Sequence, residues 1–140
     1  MQKLLKTKLA TLILMSIVST AWGFGVEGLQ QQEGTSEEDL AALAEKHIGN
    51  PDSIATGRQL FGNTCLFCHG PDGKGARAPS LVTGPYRPGG GNTPEYMYSV
   101  VMQGRPGTIM ASFKESHTDD EIWQILAFLR DRSAAIAAEK

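Results

Sequence analysis

Hydrophobic and polar positions along the chain group into short helical stretches separated by glycine- and proline-rich breaks. Thr35 through Glu38 read T-x-x-E, a capping box, and Leu40, Leu43 and Ala44 continue at helical spacing to about His47. Gly49-Asn50-Pro51 ends that helix, and its thin apolar stripe predicts a place on the domain surface. A second helix is predicted from about Asp52 to Asn63, with Ile54, Leu60 and Phe61 as its apolar side. Gly57 inside it costs roughly 1 kcal/mol relative to Ala, which implies close packing against another backbone. A third helix is expected from Pro94 to Gln103, with Met97, Val100 and Val101 on one side. The last begins at a second capping box, Thr118 to Glu121, and Ile122, Ile125, Leu126 and Leu129 form its buried stripe. Arg130 and Arg132 stand near its expected end, the polarity a helix dipole favours. Residues 70–94 are dense in Gly and Pro and read as a long loop covering a ligand. With no alternating strand pattern and no repeat, the fold class is all-α.

The first 23 residues change the picture of where this domain works. Lys3, Lys6 and Lys8 precede the apolar run Leu9 to Val18, and small residues end at Ala21-Trp22-Gly23. This is the layout of a cleaved secretory signal, and a ten-residue apolar core is short for the roughly 20 residues of a membrane span. The expected division is a signal peptide at 1–23, an N-terminal extension with a short helix at 24–50, and the main domain at 51–140. The expected location is the periplasm, with no stable membrane insertion after cleavage. Cleavage leaves 117 of the 140 residues, enough for one small domain. The signal holds three of the 13 basic residues and none of the 15 acidic ones, so the remainder carries a net −5. That excess argues against nucleic acid or anionic lipid as a partner.

Two cysteines, three positions apart, are the only ones in the chain. A disulfide across so short a loop would staple almost nothing. Cys65-Leu66-Phe67-Cys68-His69 instead reads C-x-x-C-H, the attachment signature of c-type haem. On one turn of helix two thiols reach the two vinyl groups of a porphyrin, and the next side chain, His69, presents an imidazole nitrogen to the iron. Zinc would need a fourth ligand, and adjacent Cys68 and His69 fit poorly into spaced ligand pairs. A thioredoxin-like dithiol expects a strand before the motif and a long helix after it, whereas Gly70, Gly73 and Gly75 break the chain here. Chance occurrence of the motif in an exported chain is the remaining alternative.

Over about residues 54–132 the chain resembles the class I mono-haem cytochromes c. Gly57-Arg58-Gln59-Leu60-Phe61, then C-x-x-C-H, then Gly70, Asp72 and Gly73, is similar to the family's opening, and Glu121 to Arg130 is similar to its terminal helix. The resemblance implies four to five helices around one covalently bound haem with long connecting loops. It also implies a crossing of first and last helices with Gly57, Phe61 and Phe128 at the contact. Met110, 41 residues after His69, holds the place of a methionine as second axial ligand. Ala111 follows it where the family commonly has proline, which leaves the expected ligand loop less stiff. Pro79 matches the proline whose carbonyl receives the ligand histidine's other ring nitrogen. Arg77, Tyr86 and Arg87 are candidate contacts for the haem propionates. Met97 and Met102 sit at helical spacing and read as packing. His117 is expected in solvent and His47 far off on the leading helix, each a ligand only if Met110 fails.

A soft thioether opposite imidazole stabilises reduced iron. With both axial positions filled, and Phe67, Leu81, Val101, Phe113 and Leu126 around the ring, no free position remains for substrate. The expectation is a one-electron carrier between a donor and an acceptor protein rather than an enzyme. Gly89-Gly90-Gly91 through Gly104-Arg105, with Met110 and Ile122-Trp123, is also similar to cytochromes that accept electrons from periplasmic quinoprotein alcohol dehydrogenases. Two alternatives stay open: a haem with an open distal face for catalysis or gas binding, and a cytochrome subunit of a larger redox complex.

Overall fold

The computed structural model describes residues 35–84 and 93–139. The expected signal segment, the leader over 24–34, Tyr86, Arg87 and the glycines at 89–91 lie outside the described residues. Among the described residues five α-helices occur: α1 Glu37–His47, α2 Pro51–Thr64, α3 Leu66–His69, α4 Pro94–Gln103 and α5 Asp119–Ala138, with a 3-10 turn at Pro71–Gly73. No strand occurs among the described residues, and the fold is all-α as the pattern predicted.

Side-chain chemistry sets the helix starts. Thr118 Oγ1 accepts from the Glu121 amide at 3.3 Å while the Glu121 carboxylate takes the Thr118 N–H at 2.8 Å, the expected reciprocal box. At α1 the box is displaced by one residue from the expectation: Ser36 and Asp39 form it. Thr35 is drawn elsewhere, its hydroxyl donating to Asp119 Oδ2 at 2.7 Å. Asn50 caps α2, accepting from the Asp52 and Ser53 amides, and Pro51 takes the first helical position, where no N–H is needed.

α5 forms the backbone of the packing. Ile122, Ile125, Leu126 and Leu129 are buried as expected, and Trp123 and Phe128 join them, so its buried arc is wider than one stripe. Trp123 stacks on Tyr98 of α4 with centroids 5.5 Å apart, and Phe128 meets Phe61 of α2 at 5.5 Å. A Cβ on Gly57 would lie 1.9 Å from the Gln124 carbonyl oxygen, so α2 and α5 cross backbone to backbone at the glycine. α5 also runs six residues past Arg132, because the alanine-rich tail keeps helix propensity high. Arg130 and Arg132 therefore do not complement its C-terminal end, and Arg132 reaches back to Asp72 at 3.7 Å.

α1 is more than a surface helix. Leu40, Leu43 and Ala44 pack against the core. His47 is only 2% exposed, with Nδ1 2.9 Å from Ser53 Oγ and Nε2 2.8 Å from Asp120 Oδ1. Both ring nitrogens are thus engaged in joining α1 to α2 and α5, far from a ligand's role. Lys46 also reaches Asp120, and the hydrogen bonds from Lys46 and then His47 hold that carboxyl below its ordinary range.

Candidate functional site

α2 ends and α3 begins at Cys65, whose amide closes on the Phe61 carbonyl at 2.8 Å and whose carbonyl accepts from Cys68 and His69 at 3.2 and 3.0 Å. Positions i, i+3 and i+4 of this turn share a side, which brings Cys65, Cys68 and His69 together and turns the residues between outward. Leu66 is 41% and Phe67 69% exposed. Phe67, expected against the cofactor, instead carries the Arg77 guanidinium 4.1 Å over its ring.

Beyond His69 the chain folds back on the motif. Gly75 and Ala78 amides donate to the His69 and Cys68 carbonyls at 2.7 and 2.9 Å. The fold-back carries the Pro79 carbonyl to 3.1 Å from His69 Nδ1. A carbonyl only accepts, so Nδ1 bears the proton and Nε2 keeps the lone pair a metal requires.

The other wall comes from α4 and the loop behind it. Gly104 has φ +72°, and a Cβ there would lie 2.7 Å from the Ala111 carbonyl carbon and the Ser112 nitrogen. Only glycine allows the two arms of the loop to pass so closely. Arg105 N–H donates to the Met110 carbonyl at 2.8 Å, Thr108 Oγ1 accepts from the Met110 amide at 3.2 Å, and Phe113 N–H closes on the Val101 carbonyl at 3.0 Å. The loop that Ala111 was expected to leave slack is tied by its own backbone.

Between these walls lies a cavity of about 430 Å³, lined by Cys65, Cys68, His69 and Met110 together with apolar side chains such as Phe61, Leu81, Val101 and Leu126. Its size falls within the range of ligand pockets generally. Met97 is buried at 6% exposure and also touches the cavity, while Met102 packs against the core. Arg77 and Phe113 line it as well.

Sequence reading missed Tyr96, Arg105 and His117, all in the cavity wall. His117, expected in solvent, is half-buried, with its ring edge-on to Phe113 at 5.7 Å.

The thiols bear on the rival chemistries. Burial, with Cys68 adding to it, pushes the Cys65 thiol up to about 11. A thiol held protonated is a poor redox nucleophile, which weighs against a dithiol exchange pair. Among the described residues no group of three or more His, Cys, Asp or Glu side chains is placed to hold a metal ion. Two adjacent thiols, an imidazole with its Nε2 lone pair free and an apolar cavity fit a porphyrin bonded through two thioethers.

An all-α frame carrying this donor set defines a c-type cytochrome domain. The family model described as cytochrome c oxidase, cbb3-type, subunit III matches residues 52–129, more than half of the chain, and the chain belongs to this family. Covalently bound haem c with its iron is the cofactor. The cbb3-type cytochrome c oxidase subunit CcoP of Rubrivivax gelatinosus is 27% identical over 93 residues, 66% of this chain but 30% of that protein. The match thus takes in less than a third of the relative's length. The crystal structure of cytochrome CL from the marine methylotrophic bacterium Methylophaga aminisulfidivorans MPT has the same fold, with a TM-score of 0.53 at 22% identity, covering 84% of this chain and 81% of that one. No helix among the described residues is long and apolar enough to cross a membrane.

Proposed function

We propose that this chain is an exported one-electron carrier whose single haem c is held by Cys65 and Cys68, with His69 and Met110 as the two iron ligands. One observation carries the reading: both thiols, the imidazole and the Met110 side chain line one apolar cavity. The bound haem supplies a reversible one-electron couple. The chain's own residues do the rest. The Pro79 carbonyl fixes the tautomer and orientation of His69. The hydrogen-bonded loop around Arg105, Thr108 and Met110 presents the thioether without a stiffening proline. Apolar walls exclude water. With His69 and Met110 both holding the iron, no position would remain for substrate, and the work would be exchange with a redox donor and acceptor in the periplasm. The donor we favour is a quinoprotein alcohol dehydrogenase, supported by the sequence resemblance around Gly104-Arg105, Met110 and Ile122-Trp123.

A second reading is favoured by the family and by the CcoP relative: a cytochrome component of a terminal oxidase assembly. Stopped-flow reduction of the purified protein by quinoprotein dehydrogenases separates the two. Fast reduction supports the first, while no reduction together with co-purification of oxidase subunits supports the second.

The ligand set has its own test. Haem should stay on the polypeptide through acid acetone. Met110→Ala should lower the midpoint potential and admit cyanide or carbon monoxide, and an unchanged potential with no added ligand binding would remove Met110 from the iron.

A further inference from the structure

We propose that His117 is a redox-linked proton-binding site, so that an electron carried by this protein draws a fraction of a proton with it. The inference rests on the haem occupying the cavity as proposed above. His117 is half-buried in the cavity wall. Its ring nitrogens both meet hydroxyls: Nε2 lies 3.2 Å from Thr64 Oγ1, and Nδ1 lies 3.1 Å from Ser116 Oγ. A hydroxyl donates or accepts by rotating. Neutral imidazole therefore donates from one nitrogen and accepts at the other, while imidazolium donates to both. Neither charge state strands a polar atom, and neither contact is a carboxylate that would pin the ring in its charged form.

The other titratable members of the wall do not serve near neutral pH. Cys65 and Cys68 lose their protons on becoming thioethers, and His69 has Nδ1 committed to the Pro79 carbonyl. Among side chains in general, imidazole is the one that ordinarily changes charge between about pH 5 and 8. The charged groups on the elements around His117 are engaged elsewhere. Lys114 lies 3.6 Å from Glu115, Glu121 closes the helix cap, Asp119 accepts from Tyr98 and Thr35, and Asp120 holds Lys46 and His47. From α2 the ring receives the Thr64 hydroxyl, which carries no charge.

An electron entering the cavity lowers its charge by one unit, and in a poorly polarisable wall this favours a positive imidazolium. Linkage makes the effect reciprocal: the reduction potential must rise as pH falls through the imidazole titration. We expect His117 to hold its proton about three- to tenfold more tightly in the reduced protein than in the oxidised one.

The test uses the holoprotein. Midpoint potentials are measured across about pH 5 to 8 by spectroelectrochemistry, and the histidine rings are titrated by NMR in both oxidation states. The wild type should show a potential rising toward low pH and a His117 proton affinity that differs between the states. His117→Gln keeps a polar side chain beside Thr64 and should flatten the pH dependence, whereas His47→Gln should leave it intact. A flat wild-type profile, equal His117 affinities in the two states, or a slope that survives in His117→Gln would overturn the proposal. The NMR titration decides the matter even if the variant folds poorly. Protein without covalent haem would overturn the preceding reading instead, a result visible in the absorption spectrum before any titration.

Discussion

Two glycines on α2 make opposite predictions from the same helix. At Gly57 an added Cβ would stand 1.9 Å from the Gln124 carbonyl oxygen and 2.4 Å from its carbon, and at Gly62 it would meet nothing within 4 Å. The atoms in the way at Gly57 belong to the α5 backbone, so relief requires the two helices to separate where they also bring Phe61 against Phe128. Overpacking of a tight core costs about 1–3 kcal/mol, and rigid backbone puts this site at the upper end. Alanine returns roughly 1 kcal/mol of helix propensity. Gly57→Ala should therefore lose about 2 kcal/mol or more, and Gly62→Ala should gain about 0.5–1 kcal/mol. Urea unfolding of the two holoproteins beside the parent reads both. With a slope of about 1–2 kcal/mol per molar, the midpoint should fall by about 1 M or more for the first and rise by a few tenths of a molar for the second. A Gly57→Ala protein as stable as the parent would refute the backbone crossing inferred at this residue.

Two further outcomes follow from the packing and the charges. Met97→Ala should cost about 2–5 kcal/mol of unfolding free energy, since Met97 is 6% exposed, while the midpoint potential stays nearly constant, and a large fall in potential would make Met97 rather than Met110 the sulfur at the iron. Asp120 has its carboxyl lowered by Lys46 and then His47, so the folded form binds that proton less readily than the unfolded chain. Its stabilisation is full above the ordinary carboxyl value of 3.8 and fades as pH falls below it. Asp120→Asn should thus be less stable than the parent at neutral pH and converge with it in acid, and a difference independent of pH would refute the ion-pair account.

The sequence by itself determined the chemistry and the helices. C-x-x-C-H is local: the positions of Cys65, Cys68 and His69 on one turn follow from helix geometry, whatever surrounds them. The α5 capping box and the α4 limits are likewise local, because neighbouring side chains satisfy the terminal amides. Gly57 signalled a close approach, since a residue that weakens a helix needs a reason in the packing.

Tertiary structure decided what depends on residues distant in the chain. The α1 box moved to Ser36 because Asp119, 84 positions away, takes the Thr35 hydroxyl. His47 became a buried link because Asp120 and Ser53 face it from other helices. Phe67 left the cavity because the helical turn that gathers the two thiols turns the residue between them outward. His117 entered the cavity because α5 docks on α2 where Thr64 offers a hydroxyl, and no local pattern encodes that neighbour. Propensity and spacing act over one or two turns of chain, whereas the occupancy of a hydrogen bond or a cavity wall is settled only when separate helices pack, and that is where sequence and structure diverged.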